Sequence, residues 1–150
     1  MPWRTNMERR VNLTMEQCFI DTNVFLRYLT NDDPQKADRI ETLFEKAERG
    51  EITLMTSHLV IAELVWTLES YYRIKSAQIE SLILAILNTP YMEVAEEELI
   101  IQALDTYVEK NIDFIDAYNA YFMREKGLRR IYTYDVKHFQ RIDWVEIVEP

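Results

Sequence analysis

Short runs of β character alternate with longer stretches of helical spacing, and no β-hairpin signal interrupts the order. Parallel strands cannot be joined by a tight turn; each pair needs a crossover, usually a helix. A chain built this way is directed to a parallel sheet with helices on both faces. The strand runs are Cys18–Asp21, Ile52–Met55, Tyr91–Ala95, Ile131–Tyr134 and Val145–Val148. The first reads as a buried strand ending at its aspartate. Helices are expected over Val24–Leu29, from Pro34 to Gly50, from Thr56 or Ser57 to about Tyr72, and over Lys75–Leu87, Glu96–Lys110 and Asp113–Lys126. Asp33 before Pro34 is an N-cap with proline at the first helical position. Gly50 and Gly127 are helix terminators.

The chain has 150 residues, 48% of them hydrophobic, which suits one domain with a real core. No apolar run reaches the ~18 residues of a membrane span. Residues 1–17 read as a polar leader without a signal-peptide core and receive no function, leaving one domain over 18–150. Cys18 is the only cysteine, so no internal disulfide forms and a reducing, cytoplasmic setting is expected. The net charge of -9 argues against holding nucleic acid by charge alone. It leaves room for holding it through a metal ion, since clustered acids bind cations.

Five acids stand in unusual places. Asp21 ends a strand run, and open α/β sheets bind ligands beyond the carboxyl ends of their strands. Glu63 lies inside the apolar run Leu59–Trp66, with no basic residue three or four positions away. There it loses hydration unless something positive meets it, or the helix turns it to solvent. Asp113 and Asp116 share a helical face with Ala117 and Ala120, while Phe114, Tyr118, Tyr121 and Phe122 lie on the other side. The small residues suggest room for a ligand; the alternative is that both acids merely cap the helix and offset its dipole. Asp135 follows Ile131–Tyr134, with Thr133 pointing the same way along the strand. It could equally be a turn residue or an N-cap for Val136–Phe139.

All of these can reach one sheet edge. Without a cation such a cluster repels itself; with Mg²⁺ or Mn²⁺ it becomes an oxygen-ligand site. His58 and His138 are isolated in the sequence and read as cap or surface residues, so a zinc site is not expected. No Ser-His-Asp order, P-loop or dinucleotide fingerprint is present. The apolar residues Val65, Trp66, Leu68, Ile79, Leu82, Ile83 and Ile86 exceed what one core face needs, which suggests a homodimer.

Phe19-Ile20-Asp21-Thr22-Asn23-Val24, Ala62-Glu63-Leu64, Asp113-Phe114-Ile115-Asp116-Ala117, and Thr133-Tyr134-Asp135 with Phe139 resemble the PIN-domain ribonucleases. Among these the resemblance is nearest to the toxin component of VapBC-type toxin–antitoxin pairs. It runs from about Cys18 to Val148. It implies a three-layer α/β/α sandwich around a mainly parallel sheet of about five strands. It also implies Mg²⁺- or Mn²⁺-dependent hydrolysis of RNA through a metal-activated water, and an antitoxin partner. By position, Asp21, Glu63, Asp116 and Asp135 are the acidic quartet that binds metal, with Asp113, Asn23 and Thr133 supporting it. A PIN-fold nuclease of RNA processing and a non-catalytic PIN-fold interaction domain are the alternatives. A phosphatase of the haloacid dehalogenase kind wants a second acid two residues after Asp21, where this chain has Asn23.

Overall fold

A computed structural model describes residues 16–150. Its elements, in order, are β1 (Glu16–Phe19), α1 (Thr22–Thr30), α2 (Pro34–Glu48), β2 (Ile52–Thr56), α3 (His58–Ser70) and α4 (Ser76–Leu87). They continue with β3 (Met92–Val94), α5 (Glu97–Glu109), α6 (Phe114–Glu125), β4 (Arg130–Tyr132), α7 (Val136–Phe139) and β5 (Glu146–Val148). The expected helix starts are made by the expected residues. Asp33 accepts the Lys36 N–H at 3.2 Å, and Ser57 accepts that of Val60 at 3.2 Å. Gly50 follows α2 at φ +75°, a conformation that costs glycine nothing.

Every described strand pairs in parallel, as the alternation of elements requires. β1 pairs with β2 from Glu16 opposite Ile52 to Phe19 opposite Met55, and β2 pairs with β3 from Leu54 opposite Met92. β4 pairs with β5 from Arg130 opposite Glu146. The five strands therefore form two ladders, β1-β2-β3 and β4-β5, rather than one continuous sheet. Three-residue strands have few backbone groups with which to bridge to a neighbour. Side chains hold the second ladder instead: Phe139 and Ile142 sit in the core, and the Trp144 indole donates to the Ala120 carbonyl at 3.2 Å.

The leader assigned to residues 1–17 lies outside the described residues except for Glu16 and Gln17, which already belong to β1. Nor is β1 buried throughout. It is the outer strand of its ladder, with Cys18 against the core and Phe19 62% exposed.

The core is formed by Leu54, Ile61, Leu64, Leu68, Ile79, Ile83, Ile100 and Leu104, all closed to solvent. Helices of this length are marginal alone, so burial of these faces is what keeps α3, α4 and α5 folded. The apolar surplus on which a dimer was expected is mostly absent. Val65, Leu68, Ile79, Ile83 and Ile86 are buried within this chain, Leu82 packs against them, and Trp66 alone of the seven is exposed. Among the described residues no helix is long and apolar enough to cross a membrane.

Candidate active site

The chain leaves the first ladder just before Asp21. The Ile20 N–H still donates to Met55 O at 2.8 Å; Asp21 then takes the N-cap position of α1, its Oδ1 accepting the Thr22 N–H at 2.8 Å. Thr22 is buried, and its hydroxyl donates to Glu63 Oε2 at 2.9 Å, tying the start of α1 to the middle of α3. Glu63 is not cut off from water. It shares an outward stripe of α3 with Leu59 and Trp66, which are 70% and 61% exposed, while Val60, Ile61, Leu64, Val65 and Leu68 form the buried stripe. Of the two readings of Glu63, the helix turned to solvent is the one observed, and two large apolar residues share that solvent side.

A second group forms around α6. Asp113 is its N-cap, with Oδ2 accepting the N–H groups of Ile115 at 3.1 Å and Asp116 at 3.4 Å. The capping alternative thus holds for Asp113. Ala117 and Ala120 leave no opening: both are fully buried in the core.

Asp116 behaves differently from Asp113. Its carboxylate lies 2.8 Å from His138 Nδ1. Burial raises the Asp116 pKa above its ordinary value; the His138 hydrogen bond opposes this, and the charges of Asp113 and Asp135 add to it.

Asp135 occupies the N-cap position of α7, but its side chain makes no capping bond. Its own N–H donates to Thr133 Oγ1 at 3.0 Å, so Thr133 fixes the backbone that carries the carboxylate. Phe139 is buried and anchors the single turn of α7. Behind it, Lys110 Nζ donates to Arg141 O at 3.0 Å, and the Arg141 guanidinium donates to Lys110 O and Asn111 O. These contacts clamp the end of α7 to the α5–α6 connection.

The result is a close group of ligand atoms. Asp116, Asp135 and His138 each offer one, all within 4.8 Å of one another. Two oxygens and an imidazole nitrogen suit a divalent cation. His138 is not the cap or free surface residue expected from sequence: it is half-buried with its ring against Asp116. The sequence carried a signal: Asp135 and His138 are three apart at a helix start, which puts both on one side of the turn. Asn23 is exposed, and among the described residues its side chain makes no hydrogen bond. It lines a cleft of about 460 Å³ with Arg27, Lys36 and Arg39. A polar cleft of about 240 Å³ adjoins the acids, walled in part by Asp113, Lys137, His138 and Arg141. A larger cleft of about 570 Å³, between Glu96 and Glu125, contains none of these acids.

Comparison with known proteins adds an independent line. The family model described as PIN domain matches residues 18–145. A VapC ribonuclease of Aquifex aeolicus (strain VF5) is 26% identical over 115 residues, covering 77% of this chain and 84% of the relative. Among solved structures, the crystal structure of Mycobacterium tuberculosis VapC20, described as a sarcin-ricin loop cleaving toxin, covers 88% of this chain and 98% of its own. The identity there is 24% and the TM-score 0.35.

Proposed function

The chain belongs to the PIN-domain family, and from that premise we propose that it is a divalent-metal-dependent endoribonuclease acting as the toxin of a toxin–antitoxin pair. The observation that carries the reading is the convergence of Asp116 and Asp135 with His138 in a chain of this family. Asp21, Glu63, Asp116 and Asp135 are the proposed catalytic acids. Mg²⁺ or Mn²⁺, when bound, supplies a water of lowered pKa and positive charge to offset the phosphate. The protein's own part is placement. Thr22 holds Glu63, Thr133 holds the backbone of Asp135, and Asp113 holds the first turn that carries Asp116.

RNA needs a path across an acidic surface. Lys137 and Arg141 stand in the cleft beside the acids, where a phosphate would meet them. Arg27 and Lys36 are engaged with Asp32 and Asp33 in exposed ion pairs. Such pairs are worth only ~0–1 kcal/mol, so phosphates can replace the aspartates. The likeness to a VapC ribonuclease supports the ribonuclease and toxin roles, and an antitoxin partner and a cytoplasmic setting belong to the same proposal. A homodimer that covers Leu59 and Trp66 belongs to the same proposal. Sedimentation as a dimer at micromolar concentration is expected, and a monomer contradicts it.

The test of the activity is cleavage of a labelled RNA oligonucleotide. Cleavage is expected with Mn²⁺ or Mg²⁺ and should stop with EDTA. Asp21→Asn should lower the rate on the order of 100-fold or more, the scale on which losing a group that acts on the transition state is felt. Undiminished cleavage in EDTA and in the variant would refute the proposal.

A further inference from the structure

We infer that His138 is itself a ligand of the divalent cation, which makes the centre a mixed carboxylate–imidazole site that holds Mn²⁺ in preference to Mg²⁺. This inference rests on the metal-site reading above. Asp113 is spent on backbone N–H groups at the start of α6. Asp116 and Asp135 are not; among the described residues neither forms an ion pair with lysine or arginine. The Asp116 carboxylate has one side-chain partner, the His138 ring at 2.8 Å. A carboxylate and an imidazole held that close share either a proton or a cation.

The fold also fixes where the ring stands. Phe139, the next residue, is buried and pins α7, while Thr133 sets the backbone at the other end of the same turn. His138 keeps 24% of its side chain exposed, so the ring is not sealed from solvent. Mg²⁺ takes oxygen ligands in near-ideal octahedra and releases water reluctantly; imidazole nitrogen suits transition ions better. A site of oxygens alone would discriminate less between Mg²⁺ and Mn²⁺ than one that includes this ring.

The experiment is pulsed electron paramagnetic resonance of Mn²⁺ added to the purified protein in a nitrogen-free buffer. The expected result is electron-spin-echo modulation from a directly bound ¹⁴N. It should persist in His58→Gln and vanish in His138→Gln. The free-Mn²⁺ signal gives affinity in the same samples. His138→Gln should weaken Mn²⁺ binding by about 10- to 100-fold, the range found when groups around a metal are lost, and should weaken Mg²⁺ binding less. Bound Mn²⁺ without nitrogen modulation in the wild-type protein overturns the inference whatever the variants do, since His138 would then only orient Asp116. Modulation unchanged in His138→Gln overturns it as well. Mn²⁺ that does not bind at all removes the metal-site reading and the inference together. Nitrogen-coupled Mn²⁺ in a protein that cleaves no RNA supports the ligand assignment and removes the nuclease reading alone.

Discussion

Asp116 shows the cost of assembling such a cluster. Its carboxyl is half-buried beside Asp113 and Asp135, and its folded-state pKa is raised, burial being the largest cause. A raised pKa means that protonation favours the fold. That contribution is full below the unfolded-state pKa and is lost as pH rises through the folded one. In the metal-free protein at neutral pH the charge is therefore a liability. Asp116→Asn should stabilise the metal-free protein at pH 7 by on the order of 1 kcal/mol or less, a functional site giving up stability. The gain should shrink as pH falls toward ~4, where an ordinary aspartate takes up its proton. Paired thermal melts across this range check it; an unchanged or lower melting temperature for the variant at pH 7 contradicts it. The sequence singles out the acids but not His138, whose ring the fold sets against Asp116. Strand ends and apolar surroundings make an acid conspicuous in one dimension. A histidine in a charged, four-residue helix becomes conspicuous only once Asp116, 22 positions earlier, lies beside it.

At the scale of elements, caps and breakers were the most readable signals because they act locally. Asp33, Ser57, Gly50 and Gly127 stand where their backbone preferences place them. Which face of a helix meets which neighbour is not a local property, and two positions show it. For Glu63 the structure selects the solvent-facing alternative: its stripe of α3 faces outward with Leu59 and Trp66. Ala117 and Ala120 suggest room for a ligand in the sequence, yet both are fully buried in the core. Ala120→Leu should cost about 1–3 kcal/mol, the usual penalty for forcing extra methylenes into a packed interface. Urea unfolding measures it. A loss below ~0.5 kcal/mol, the scale of a neutral surface change, would show that the small residues do keep a space open.

For the molecule as a whole, the alternation of strands and helices foretold parallel pairing and an α/β/α fold, because crossover connections leave little choice. It did not foretell the break between the two ladders, since strand length depends on packing that the sequence pattern does not encode. The net charge of -9 also acts at this scale. An acidic protein that handles an anionic substrate needs cations at the point of contact, and the acids at Asp21, Glu63, Asp116 and Asp135 are the proposed means of recruiting them. If they form one cation site, metal binds the folded protein and not the unfolded chain. At a Mn²⁺ concentration 100 times Kd, the melting temperature of the wild-type protein should rise by about 5–10 °C. Asp116→Asn and Asp135→Asn should lose most of that rise, each judged against its own metal-free melt. A wild-type melting temperature unmoved by millimolar Mn²⁺ or Mg²⁺ would contradict the account.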